Sequence, residues 1–136
     1  MKNIFILLSC LIILLSGCDK EKPVIFFSRE PFNLSFMKYN NFKTLFQEGD
    51  RVYFFLYNPK PFGSNMMRLQ ILKLDRKAPF FGISLAMSRD VEIDKSLNYY
   101  TDYFCLHKQG SYVLRIFSMD RLDKPVSKAE FEVIAP

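Results

Sequence analysis

Apolar positions follow one rule at the start of the chain and another through the rest of it. From Ile4 to Leu15 nearly every position is apolar, headed by Lys2. That run is shorter than the roughly 20 residues a membrane-spanning helix needs, and it has the shape of an export-signal core. Beyond it no stretch keeps a 3.6-residue period, and apolar residues recur at every second position as in half-buried strands. Strands are predicted at Val24–Ser28, Phe42–Phe46 and Arg51–Tyr57, then at Met67–Ile71, Ile83–Met87 with Val91 and Ile93, Tyr99–Leu106, Ser111–Phe117 and Glu130–Val133. Arg29 to Asn41, with Pro31, Asn33 and Asn40-Asn41, reads as a connection or edge. Turns are expected at Gly49-Asp50, His107–Gly110 and Asp123-Lys124-Pro125, and a loop at Asn58–Asn65, where two prolines remove ladder donors.

Within these strands the phase carries information. Val52, Phe54 and Leu56 share one face of their strand, predicted to be the core face. Tyr53, Phe55 and Tyr57 share the other, as an aromatic outer stripe or a second covered face. Leu72 and Leu74 break the phase of Met67, Leu69 and Ile71, which calls for a bulge or a change of sheet. Seven to eight short strands between turn signals predict an all-β fold, a two-layer antiparallel β-sandwich, with a small barrel as the alternative.

Two resemblances add to this. Leu15-Ser16-Gly17-Cys18, directly after the apolar run, resembles the lipobox of bacterial lipoproteins. The resemblance implies a cleaved signal peptide over residues 1–17, a diacylglyceryl group on the Cys18 thiol, and acylation of the new amino terminus. It divides the chain into that signal, a short lipidated tether over 18–23 and a β-sandwich domain over 24–136. Two or more fatty chains anchor stably where one is marginal. It also places the protein in a cell envelope, on the inner or the outer membrane. Asp19 favours the inner membrane in enteric bacteria but not in every envelope, so the leaflet stays open. Gly110-Ser111-Tyr112 before an alternating strand resembles the penultimate strand of immunoglobulin-like domains. There a tyrosine packs inward and bonds back to nearby backbone. The antibody disulfide and core tryptophan have no counterpart, since the chain contains no Trp.

Composition then removes several function classes. Of the three cysteines, Cys10 belongs to the signal and Cys18 to the lipid, which leaves Cys105 without a partner for an intramolecular disulfide. Cys105 lies in the apolar run Tyr103–Leu106 and is expected to be buried. The net charge is +5, spread along the chain with acids interleaved, so no nucleic-acid face is expected. The one histidine, His107, sits in a turn with no nucleophile and acid arranged around it, and no enzyme is expected. Asp90, Glu92 and Asp94 alternate as if sharing one strand face. No calcium loop or zinc spacing accompanies them, so neither metal nor cofactor is expected.

The residues singled out for contact are aromatic. Phe62, Phe80 and Phe81 stand beside Pro or Gly in predicted loops, the usual binding surface of a sandwich. Lys60 and Phe62 in the Asn58–Asn65 loop form the first candidate partner patch, and Tyr53, Phe55 and Tyr57 the second. The function expected is a lipid-anchored, non-enzymatic interaction or structural module with an envelope protein as partner. The alternative is a periplasmic carrier or sensor for a small apolar or glycan ligand.

Overall fold

The computed structural model describes residues 21–36, 42–75 and 82–136. The signal with Cys18 and Asp19, the Asn40-Asn41 pair and Phe80-Phe81 lie outside them. Among the described residues eight strands form: β1 (Val24–Ser28), β2 (Leu45–Gln47), β3 (Arg51–Tyr57), β4 (Met66–Asp75), β5 (Gly82–Glu92), β6 (Tyr99–Cys105), β7 (Gly110–Ser118) and β8 (Ser127–Ile134). They make a three-stranded sheet, β1-β3-β6, and a five-stranded sheet, β2-β8-β7-β4-β5. This is a two-layer β-sandwich of immunoglobulin-like type, in which β3–β4, β5–β6 and β6–β7 each cross from one sheet to the other. One pairing departs from the antiparallel expectation, because β2 runs parallel to β8. The start of the domain therefore serves both sheets, through β1 on one and β2 on the other.

Alternation along β3 explains the layering. Val52, Phe54 and Leu56 are buried between the sheets, as their phase predicts. Ile25 and Phe27 of β1 and Phe104 of β6 join them from the same sheet, facing Met67, Leu69, Ile71, Tyr112, Leu114, Ile116, Phe131 and Val133. Rings fill the centre: Phe131 lies 5.0 Å from Phe27, 5.4 Å from Phe104 and 5.6 Å from Tyr112, centroid to centroid. Burying each such side chain contributes about 1.5–3 kcal/mol. The space between the sheets is thus a packed core.

Tyr112 supplies the expected corner. Its ring is buried and its hydroxyl donates to the Lys108 carbonyl at 2.6 Å, which ties the β6–β7 turn to the strand it feeds. Burial pushes that hydroxyl's pKa up. Gly110 opens β7 at a φ of +152°, a region side chains rarely adopt, with the Lys73 stem lying where a Cβ would project.

Where β5 and β6 leave the sandwich side open, charge closes it. The Arg89 guanidinium of β5 donates to the Asp102 carboxylate of β6 at 2.7 Å and to the Tyr103 carbonyl at 2.9 Å. Tyr100 donates to the same carboxylate at 2.9 Å. Burial, and then the adjacent anion, push the Tyr100 hydroxyl pKa well up.

Two expectations are corrected. Cys105 is exposed, because strand alternation commits Phe104 to the core and turns its neighbour outward beside Arg51. The row Asp90, Glu92, Asp94 is not one strand face, because β5 ends at Glu92. Beyond it Asp94 turns back to accept from the Ser96 backbone and hydroxyl, at 2.9 and 2.6 Å.

The two ends of the sandwich differ in what they gather. The Pro23 carbonyl accepts from Ser127 Oγ at 3.2 Å, so the chain enters the domain beside the start of β8. The β3–β4, β5–β6 and β7–β8 connections lie at that end. The β2–β3 turn, the β6–β7 turn and the end of β8 lie at the other, joined by Gly49 N–H to the Leu106 carbonyl at 2.8 Å and Glu48 N–H to the Ile134 carbonyl at 3.0 Å.

Candidate interaction surface

Cross-strand register builds the outer face of the three-stranded sheet as a ladder. Ser28, Tyr53 and Tyr103 form one row, Phe26, Phe55 and Thr101 the next, and Val24, Tyr57 and Tyr99 the third. The chain covers much of this face itself. Phe32 and Phe42, from the two ends of the β1–β2 connection, lie 5.5 Å from Phe55 and 4.5 Å from Phe26 respectively. Tyr99 stacks on Phe55 at 5.8 Å from the other side. Phe55 is consequently buried, while Tyr53 and Tyr57 are half-buried. What stays open is a small ridge: Tyr53 packs on Tyr103 at 5.5 Å, and the Arg51 guanidinium lies 5.2 Å above the Tyr103 ring.

The outer face of the five-stranded sheet divides along its length. Toward the end where the chain enters, polar groups and a loop occupy it. Arg68 makes a two-pronged bond to Asp90 at 2.8 and 3.0 Å, which lowers the Asp90 carboxyl pKa below its ordinary value. Arg115 donates to Gln70 at 2.8 Å and lies over the Phe117 ring. Leu122, Asp123 and Pro125 from the β7–β8 connection complete an open pocket of about 260 Å³ around them.

Toward the far end the same face turns aliphatic. Leu72 of β4 pairs with Leu85 of β5 and Val113 of β7, and Leu74 pairs with Ile83 and Ser111. Ile83 and Leu85 are 56% and 59% exposed, although both are large and apolar. Their direction comes from a bulge. β4 keeps strict alternation, but Ile71 pairs with Met87 and Leu72 with Leu85, so Ala86 is the extra residue in β5. A one-residue offset moves every later side chain to the opposite face. Met87 points inward in consequence, and Leu85 and Ile83 point out. β5 is also the edge of its sheet. Its second half carries Arg89, Asp90 and Glu92, charges of the kind that protect an edge from pairing, whereas Gly82 to Met87 carries none.

The residues singled out in the sequence are thus dispersed. Lys60 is exposed on its loop, but Phe62 is half-buried against the core. Phe55 is roofed, and Tyr53 and Tyr57 flank it. Cys18 is outside the described residues. Ile83 and Leu85 were missed as surface, because regular alternation had placed them with Met87. The signal that could have found them was the phase break at Leu72 and Leu74, since β5 itself alternates without interruption from Ile83 to Met87 in sequence. Among the described residues, no three His, Cys, Asp or Glu side chains converge as metal ligands.

No protein-family model matches the chain, and no curated protein matches it in sequence. Solved structures do. The soluble domain of PmoD from Methylocystis sp. ATCC 49242 (Rockwell) is 11% identical, with a TM-score of 0.50, over 82% of this chain and 90% of that one. An immunoglobulin-like protein from Pseudomonas aeruginosa is 14% identical at a TM-score of 0.48, over 85% and 99%. A superoxide reductase (neelaredoxin) from Ignicoccus hospitalis is 12% identical at 0.45, over 84% and 81%. At such identities likeness concerns the fold alone.

Proposed function

We propose that this protein is a lipid-anchored, non-enzymatic interaction module of a bacterial cell envelope. Lipid on Cys18 holds it to a membrane, residues 18–23 are the tether, and the sandwich recruits an envelope protein. The observation that carries the interaction role is the charge-free half of edge strand β5, with Ile83 and Leu85 exposed on it. An edge of this kind offers a partner strand main-chain donors and acceptors, which give affinity, and its apolar side chains select what packs against them. The packed ring cluster between the sheets favours this role over a carrier whose ligand would sit there.

Native lipidated protein cross-linked in its own envelope tests the proposal. A photo-reactive group at Ser84 is expected to capture a strand of one partner, which also protects the Gly82–Met87 amides from hydrogen exchange. Leu85→Lys is expected to abolish both effects and leave thermal unfolding unchanged. Undiminished capture by the folded Leu85→Lys variant would exclude β5 as the docking edge. Capture of a second copy of this chain instead would replace the heterologous partner with self-association. The anchor is tested separately: Cys18→Ser should move the protein out of the membrane fraction, and persistence there would refute lipidation.

A further inference from the structure

We infer that the end of the sandwich where the chain enters lies against the bilayer surface, with Leu97 and Leu122 at the headgroup–acyl boundary. This rests on lipidation of Cys18. Asp19 to Pro23 then separate the lipid from the first strand, and a chain spans at most about 3.5 Å per residue, or roughly 18 Å for this tether. Because Pro23 is bonded to Ser127, the tether cannot leave from any other side of the domain. The far end of β4 is a strand length away, on the order of 30 Å at about 3.3 Å per residue. A tether this short holds the entry end, and no other, within reach of lipid.

The surface presented there is built for that contact. Its two longer loops are zipped into one plate: Asn58 N–H bonds the Asn98 carbonyl at 2.8 Å, Phe62 N–H the Leu97 carbonyl at 3.1 Å, Gly63 N–H the Lys95 carbonyl at 3.2 Å, and Ile93 N–H the Asn65 carbonyl at 2.9 Å. Leu97 on this plate is 37% exposed, and Leu122 on the β7–β8 connection 45%. Lys22, Lys60, Lys95, Arg121 and Lys124 surround them, all accessible to headgroup phosphates. Acids alternate with them, Glu21, Glu92, Asp94, Asp120 and Asp123, of which Asp94 accepts from Ser96, Asp120 from Ser118 and Asp123 pairs with Arg121. Apolar tips among exposed lysines suit a phospholipid interface, with the short tether rather than net charge setting the orientation. Lys60 and Phe62 thereby belong to the membrane-facing end, and Ile83 and Leu85 to the half of the domain held away from lipid.

The test uses full-length lipidated protein in vesicles of phosphatidylethanolamine and phosphatidylglycerol. Cys105→Ser removes the exposed thiol, and single labels are introduced by Leu97→Cys, Leu122→Cys or Leu85→Cys, all at exposed positions. A nitroxide on the lipid headgroup is expected to quench the labels at 97 and 122 at least threefold more strongly than the label at 85. Equal quenching at all three positions in membrane-bound, lipidated protein overturns the orientation and leaves the anchor standing. A native protein whose mass shows no lipid on Cys18 overturns both.

Discussion

The outer faces of the two sheets both carry rows of large apolar side chains, and they meet opposite fates. On the three-stranded sheet, Phe26 and Phe55 are roofed by Phe32 and Phe42 from the chain's own β1–β2 connection. On the far half of the five-stranded sheet, Leu85 and Ile83 stand uncovered beside Leu72 and Leu74. An outward apolar residue is therefore not by itself a docking surface. It must also be left uncovered by the rest of the chain, and among the described residues the aromatic stripe is roofed while the aliphatic one stays exposed.

The largest effect that would break this contrast is expected at Phe55. Phe55→Ala should cost about 3 kcal/mol, the low end for a buried aromatic, measured by urea unfolding. A loss under about 0.5 kcal/mol, the range of ordinary surface changes, would mean the roof contributes no cover. Tyr112→Phe comes next, at about 1 kcal/mol, because it removes one buried hydrogen bond and strands the Lys108 carbonyl. An unchanged midpoint would show that the corner adds nothing to stability.

The alkaline limb sharpens the account of how the sheets are joined. The Tyr100 and Tyr112 hydroxyls both have pKa values raised by burial. The unfolded chain releases these protons first, near pH 10. Stability from these groups is therefore complete below about pH 10 and is lost as pH rises through the folded values. Tyr100→Phe should flatten that fall in an unfolding series from neutral to strongly alkaline pH, and an equally steep fall would assign it to other groups. The smallest effect belongs to the open face: Leu85→Ser should change stability by no more than about 0.5 kcal/mol. A loss like that of Phe55 would show that Leu85 is covered after all.

Much of this architecture was legible in advance, and the exceptions have definite causes. The alternation of Val52, Phe54 and Leu56 located a core face because a period of two admits only two faces. The apolar run around Cys105 misled because it was read as one environment, while Phe104 and Cys105 must point in opposite directions. Tyr53, Phe55 and Tyr57 were correctly grouped on one face. Which of them is open depends on Phe32, more than twenty positions earlier in sequence. Ile83 and Leu85 escaped notice because alternation was carried through the bulge at Ala86.

The sequence alone determined the strand-rich class, the core phase of β3 and the tyrosine corner, all consequences of local pattern. Tertiary structure decided which outward residues stay outward, how the charged clasp closes the open side, and which loops share an end with the entering chain. Those depend on register and on segments meeting across long sequence separations. A one-residue offset that costs little locally reverses the side from which a side chain is seen.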